Sequence, residues 1–560
     1  MLNSSGLSEV LRREVGQHFV VGWPGKTVDE HITTLIRDYY VGSVIIFKRN
    51  IESFEQIKDL ISQLQQLAKD AGHARPLMIG IDQENGLVSA FNPLNGLCGT
   101  QFPGAMALAA TGSPELAKET TAAAARELRA AGVTWAYSPV CDVNSDPRNP
   151  VIGVRSYGDD PNQVASFAAA VASGLIAARI APSLKHFPGH GDTHVDSHAA
   201  LPVIRKTRSD LLATELPPFA ALVELGLAPT VMTGHMALPL LSADAAHPDL
   251  PCSLSRTVTT DLLRGELGFE GVVVTDCLEM DAVRATYGCP EAAVRALEAG
   301  ADIAMICHQL DRQAGALEAV YAALASERLN AHTLAISGQR IAGLKDRFAH
   351  PQPDAAVVDW AALKAEHASL SASAYDRVVA AHANDGVLPL VHDGVVVITP
   401  EMAALNPAVD APPEDGVLRT KDGALRNTAG PSYLALAQAL EATTHIISNP
   451  RASIPTTAFD NAKSVVFATR NASDVGSAWQ LDRLAEVVTA VGREVKVVVV
   501  STCTPYDLVG IARVAPYAAR LATFEFTAAA MQATARVIFG EVQASGRVPV
   551  RLGGETRVTG

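Results

Sequence analysis

Short apolar runs recur along the first part of the chain, with helix-spaced segments between them. The runs are Phe19 to Gly22, Val44 to Phe47, Leu77 to Ile81, Thr134 to Ser138, Ala181 to Leu184, Thr230 to Thr233, Val272 to Thr275 and Ile303 to Ile306. Phe54 to Ala71, Pro114 to Ala131 and Leu211 to Leu225 carry the spacing of amphipathic helices. Strand–helix units repeated in this way predict a closed (β/α)8 barrel of the TIM type over residues 1–347. His350-Pro351-Gln352-Pro353-Asp354 reads as the start of a linker over residues 348–375. Beyond it, Val395 to Ile398, His445 to Ile447, Val465 to Ala468, Val495 to Val500 and Ala522 to Phe526 alternate with helical stretches such as Trp479 to Val491. Apolar strands separated by helices predict a parallel sheet covered on both faces, a C-terminal α/β sandwich-like domain over 376–560. Asn406 to Pro431, rich in turn residues, reads as a long loop, and no Gly-x-Gly-x-x-Gly turn points to a nucleotide.

Polar residues interrupt this pattern where barrel strands end. Asp82 follows the third run, Lys185 and His186 the fifth, His235 the sixth and Asp276 the seventh. In a parallel barrel these positions converge on one mouth, which is where such folds place their chemistry. The densest stretch is Lys185 to His198 (KHFPGHGDTHVDSH), with four histidines, two aspartates and a lysine. Titratable groups crowded together shift one another towards working pH, as proton transfer requires. Two readings compete there, a metal site and an acid/base site built on Asp196 and His198. His190, His194 and His198 are spaced i, i+4, i+8, which on a helix would form a metal-binding face. Pro188, Gly189 and Gly191 make the segment a loop instead, and no His-Glu-x-x-His or Cys-x-x-Cys occurs. The acid/base reading is therefore preferred, with neither metal nor other cofactor expected. The plainer role for His190 or His194 taken singly is a hydrogen bond to the loop's own backbone.

Composition narrows the partners. The net charge of -14 is spread without long runs of one sign, which disfavours nucleic acid or an anionic membrane as the main partner. Seven cysteines in irregular positions suggest reduced thiols and a cytoplasmic setting, and Met1 to Val21 lacks the apolar core of a signal peptide. No run of about twenty apolar residues predicts a membrane span. Nothing in the sequence assigns an oligomeric state.

Several short motifs occur in order: Gly42 to Asn50 (GSVIIFKRN), Gly80 to Gly86 (GIDQENG), Phe102 to Leu108 (FPGAMAL), Ser138 to Asn144 (SPVCDVN), Pro150 to Gly158 (PVIGVRSYG), the His-rich segment, and Leu267 to Met280 (LGFEGVVVTDCLEM). Asn384 to Pro389 and Ser545 to Pro549 punctuate the second domain. Together they resemble glycoside hydrolase family 3, and the His-rich segment resembles its β-N-acetylglucosaminidase branch. The resemblance implies a retaining exo-acting enzyme that releases terminal GlcNAc from an oligosaccharide or glycoconjugate. It places the nucleophile at Asp276, an acid/base histidine at His198 and its supporting carboxylate at Asp196. Asp82, Arg155, Lys185 and His186 match residues that line the sugar pocket, with Glu84 and His235 as support. Humbler roles compete at each position: helix cap for Asp276, local turn with Ser197 for Asp196, loop cap for Asp82, and solvent-facing salt bridge for Arg155. The sequence departs from the usual bacterial pattern at Asn85-Gly86-Leu87-Val88 and Ala90, where two positive charges are absent. A chitin-derived substrate becomes comparable to an anionic peptidoglycan fragment. Two rivals stand beside hydrolysis. A β-glycoside phosphorylase is one, since a neutral histidine repels phosphate less than a carboxylate does. A catalytically silent sugar-binding protein is the other.

Overall fold

The computed structural model describes residues 7–92, 98–193, 201–241, 249–350, 358–401, 430–451 and 453–553. Eight parallel strands close into a barrel: β1 (Phe19–Val21), β2 (Ser43–Ile46), β3 (Met78–Ile81), β4 (Trp135–Ala136), β5 (Ala181–Phe187), β6 (Thr230–Thr233), β7 (Val272–Cys277) and β8 (Ile303–Ile306). Spatial order follows chain order, and β1 pairs with β8 to shut the ring. Each apolar run of the sequence thus supplies one strand of the predicted barrel.

The strands are apolar on both faces because both faces are covered. Val20, Ile45, Met78, Ala181, Met232, Val272, Val274, Ile303 and Met305 fill the lumen with Trp135 and Tyr137. The alternate residues, among them Phe19, Val21, Val44, Ile46, Ile79, Ile81, Val273 and Ala304, pack outward against the helices. Gly80 takes the inward position on β3, where a Cβ would come within 2.3 Å of the Tyr137 hydroxyl. Continuing the inward alternation past Met78 and Gly80, Ala181 and Ser183, and Val272 and Val274 reaches Asp82, Lys185 and Asp276. The strand period therefore delivers all three to the mouth.

The second domain holds a six-stranded sheet made of β9 (Ala380–Ala383), β10 (Val395–Pro400), β11 (Thr444–Ser448), β12 (Ser464–Thr469), β13 (Lys496–Ser501) and β14 (Ala519–Ala522). Its order is β9-β14-β13-β12-β10-β11, parallel throughout except for β9, which runs antiparallel to β14. Expected and observed strands differ at its end. The strand expected at Ala522 to Phe526 lies earlier, at Ala519–Ala522, because Phe524 adopts a left-handed φ of 61° and the chain turns there. Leu211 to Leu225 is two helices, Arg208–Ala213 and Pro217–Glu224, interrupted where Pro217 and Pro218 remove donors and bias the preceding residue out of the helix. Of the loop expected at Asn406 to Pro431, residues 406–429 lie outside the described residues, and Gly430–Ala439 is helical.

Between the domains, the helix Trp360–Asp376 touches both. Trp360 stacks on Phe54 of the barrel with ring centroids 3.7 Å apart, His367 bonds Glu127 at 2.7 Å, and Tyr375 donates to Glu525 of the second domain at 2.7 Å. Glu525 also accepts from the Gly104 amide at 2.7 Å. Gly104 lies against Gly86, the turn residue of a small ribbon (Gln83–Asn85 with Val88–Ser89) that continues directly from β3. Gly86 has φ +59°, and a Cβ there would meet Gly104 Cα at 2.6 Å. All seven cysteines are free and buried. No helix among the described residues is long and apolar enough to cross a membrane.

Candidate active site

At the mouth, the ends of β3 and β5 and the loop after β4 assemble a buried ionic cluster. Glu84, on the ribbon after β3, accepts two bonds from Arg155, at 2.7 Å from Nη2 and 2.9 Å from Nε. Lys185, near the end of β5, reaches Glu84 and Asp82 at 2.8 Å each. Arg155 also donates to the Val151 carbonyl at 3.2 Å and approaches His186 Nε2 at 3.5 Å. It sits on a 3-10 turn, Gly153–Arg155, whose start is held by Asn149 accepting from the Val151 and Ile152 amides. Two carboxylates and two cations thus cancel within one hydrogen-bonded group. Burial alone would raise the Glu84 carboxyl, but Arg155 and Lys185 overcome it and hold it at about 2. Burial would lower Lys185, yet Asp82 and Glu84 leave it above its ordinary value.

A second carboxylate organises the histidines. Asp142 is fully buried and accepts from His186 Nδ1 at 2.7 Å, from the His186 amide at 3.1 Å and from the His190 amide at 2.8 Å. Accepting at Nδ1 fixes the proton there and turns Nε2 of His186 towards Arg155. Burial tends to raise Asp142, but His186 outweighs it and holds the carboxyl below the usual range. His190 Nδ1 pairs with Thr193 Oγ1 at 2.9 Å, and that hydroxyl donates to the His190 carbonyl at 3.1 Å, so Nδ1 carries the ring proton. Burial and the neighbouring His186 push His190 down to about 4, leaving a neutral imidazole. The His190 ring thus meets the Thr193 hydroxyl, and it is that hydroxyl that bonds the loop backbone.

Asp276 lies at the end of β7 and is partly exposed, with its Oδ1 accepting from the Cys277 amide at 2.7 Å. It does not cap a helix: the following helix is Asp281–Ala299, whose N-cap is Met280. The strand end is braced by His235, buried, with Nε2 donating to the Cys277 carbonyl at 2.9 Å and Nδ1 paired with Ser253 Oγ at 2.8 Å. Asp82, Arg155, Lys185 and His186 are therefore linked in one network. Arg155 is in a buried salt bridge rather than a solvent-facing one. Asp196, His198 and His194 lie outside the described residues.

Sequence reasoning gave Glu84 only a supporting part and did not single out Asp142. Asp142 carried a usable signal: an acid enclosed by Val140, Cys141 and Val143 must be paired if buried. Nor did the sequence show that the second domain reaches the site's surroundings. Tyr506 of that domain meets Asn144 Nδ2 at 2.8 Å, two residues beyond Asp142.

Residues 10–344 match the glycosyl hydrolase family 3 N-terminal domain. The chain belongs to glycosyl hydrolase family 3. A protein named Beta-hexosaminidase A from Pseudoalteromonas piscicida is 33% identical over 386 residues, covering 66% of this chain and 64% of that relative. This chain therefore spans less than two thirds of that relative's length. A solved fungal multi-domain family 3 β-N-acetylglucosaminidase superposes with a TM-score of 0.86 at 35% identity, over 98% of this chain and 61% of the fungal one. A family 3 β-N-acetylglucosaminidase from Paenibacillus sp. str. FPU-7 superposes with a TM-score of 0.82 at 32% identity, over 98% of this chain and 100% of that chain. The resemblance read from the motifs extends through both domains of this family 3 chain.

Proposed function

We propose that this family 3 protein is a retaining exo-β-N-acetylglucosaminidase, with Asp276 as nucleophile and the Asp196–His198 pair as acid/base. The observation that carries the reading is how the carboxyl groups are employed. Glu84 is held ionised by Arg155 and Lys185, and Asp142 by His186, so neither suits a proton donor. Asp276 is a partly exposed carboxylate at a strand end, its Oδ1 accepting from the Cys277 amide, and that strand end is braced by His235. A glycosidase of this kind normally pairs two carboxyl groups, one nucleophilic and one protonated. With Glu84 and Asp142 ion-paired, this reading takes the proton donor from the His-rich loop.

In the first step the Asp276 carboxylate attacks the anomeric carbon while the His198 imidazolium protonates the departing oxygen. In the second, neutral His198 takes a proton from water, which attacks the same carbon and releases Asp276. Asp196 orients the imidazole and raises its basicity. Asp82, Lys185, Arg155 and His186 grip sugar hydroxyls from a network already satisfied within the protein, so the pocket needs little reorganisation on binding.

The ribbon favours an uncharged oligosaccharide. Leu87 packs against the core of the second domain and Ala90 is buried, so neither position offers a cation to an acidic aglycone. A GlcNAc-terminated chitin-type oligosaccharide fits this better than an anionic muramyl conjugate. The Paenibacillus structure is named a β-N-acetylglucosaminidase, in keeping with GlcNAc as the terminal sugar.

The test is turnover of an aryl β-GlcNAc substrate with product analysis in the presence and absence of phosphate. Free GlcNAc of retained configuration is expected in both. Sugar phosphate would establish the phosphorylase rival, and no turnover would favour a silent sugar-binding protein. Asp276→Asn is expected to stay folded and lose nearly all turnover, and a fluorinated sugar should label Asp276 covalently. Label on another residue overturns the nucleophile assignment.

A further inference from the structure

One cluster at the mouth takes no part in the chemistry above. Cys277 ends β7, while Cys307 and His308 directly follow β8. One ligand atom from each, two sulfurs and a ring nitrogen, lie within 4.8 Å of one another. The register produces this grouping. Ile303 pairs with Val274, but Met305 pairs with Cys277, so β7 carries an extra residue between the two pairs. That irregularity brings Cys277, three positions after Val274, into the lumen group that also contains Cys307.

We propose that Cys277, Cys307 and His308 form an inhibitory binding site for a thiophilic divalent cation of the zinc class, on the rim of the mouth beside Asp276. Two thiolates and an imidazole are the donor set such ions prefer, and three protein ligands leave a fourth position for water. At bond lengths of about 2.3 Å to sulfur and 2.0 Å to nitrogen, tetrahedral ligand atoms sit roughly 3.5–3.8 Å apart. The three atoms therefore close on an ion by moving about 1 Å or less. The entering cation displaces the protons of both thiols, Cys277 and Cys307, to solvent. His308 is exposed and gives the ion access from solvent.

The surroundings hold the site in shape. Glu279 accepts from the Cys307, His308 and Gln309 amides at 2.8, 2.6 and 3.2 Å, and receives the Cys277 thiol at 3.9 Å. Arg49 donates to the Cys307 carbonyl at 3.0 Å and to Trp23 at 3.1 Å, so its charge is turned to the backbone. Phe47 flanks His308 with ring centroids 5.5 Å apart. This carboxylate bound to both ligand-bearing strands supplies negative charge and orientation next to the ion, as partners of metal ligands do.

Inhibition follows from one bond. The Cys277 amide donates to Asp276 Oδ1, so a residue drawn towards a metal is also the one that fixes the carboxylate. A displacement of about 1 Å from the attacking geometry costs on the order of 100-fold in rate. This consequence rests on Asp276 being the nucleophile, whereas binding itself does not.

Cadmium chloride and zinc chloride serve as probes on the full chain, kept reduced by a phosphine. Expected is one cadmium per chain with an ultraviolet thiolate-to-cadmium band worth two thiolates, together with a 10- to 100-fold loss of aryl glycoside turnover that EDTA reverses. Cys307→Ser should halve the band and weaken binding at least tenfold. His308→Asn, at an exposed side chain, should keep the two-thiolate band with about tenfold weaker binding. Absence of the band in the wild type overturns the proposal, as does unchanged binding in both variants, which would put the ion elsewhere. If binding follows the proposal while turnover is unaffected by metal, the site stands as a binding site and its inhibitory role through Asp276 is overturned.

Discussion

Glu84→Gln tests whether the ionic cluster is a built part of the barrel. The substitution keeps the shape of the side chain and removes its charge, leaving buried Lys185 with Asp82 as its salt-bridge partner and Arg155 with only the more distant Asp142 and Asp82. A carboxyl held at about 2 when folded, against roughly 4.3 in an unfolded chain, has about 3 kcal/mol of preference for the charged, folded state. Breaking one partner of a buried ion pair costs a comparable amount, about 3–5 kcal/mol. Because the folded value is depressed, the stabilisation is fully present above the unfolded carboxyl's range and is lost as pH falls from about 4.5 towards 2. The wild type should therefore exceed the variant by roughly 5 °C or more in the barrel's melting transition at pH 7, with the gap narrowing below pH 4.5. Buried Trp23 and Trp135 report that transition by fluorescence. Freed of Glu84, Arg155 also loses its bidentate anchor, so KM should rise more than kcat falls. Equal melting temperatures at pH 7 and an unchanged KM would refute the view that Glu84 holds the sugar-binding cations in place.

Three further outcomes are expected. His198→Ala should slow substrates with poor leaving groups far more than activated aryl glycosides, with Asp196→Ala a milder version; single-turnover rate against leaving-group pKa checks this, and an even loss across the series would reduce His198 to a sugar contact. Exhaustive chelation should never lower turnover, because the proposed reaction uses no metal; loss of activity restored by zinc would overturn that reading. Gly86→Ala forces a side chain into Gly104 at a positive φ, so the interface with the second domain should loosen, read as faster proteolysis around residues 85–104 and a melting temperature lowered by several degrees.

The barrel was legible because its strands are apolar on both faces and three of them, β3, β5 and β7, lead into or contain a charged residue near their ends. Asp82, Lys185 and Asp276 are on the inward alternation, so period two alone aims them at the mouth. What sequence could not give was partnership across the chain. Glu84 meets Arg155 across 71 positions, and Asp142 meets His186 across 44, pairings that exist only once β3, β4 and β5 stand side by side. Local signals failed where chain-distant contacts overrode them. Ala522 to Phe526 looks like a strand from its aromatics, yet Phe524 turns left-handed and Glu525 is spent on the Gly104 amide. β9, Ala380–Ala383, carries too little apolar pattern to announce itself and forms by pairing with β14.

The bond between Glu525 and Gly104 spans 421 positions. In order of synthesis, the ribbon bearing Glu84 is made long before the carboxylate that fastens its neighbour. A contact of such long range is closed late, after the barrel and the second sheet have each taken shape. The mouth of the nascent barrel therefore waits on the second domain for this clamp, and the ribbon beside it settles only once that domain has been made.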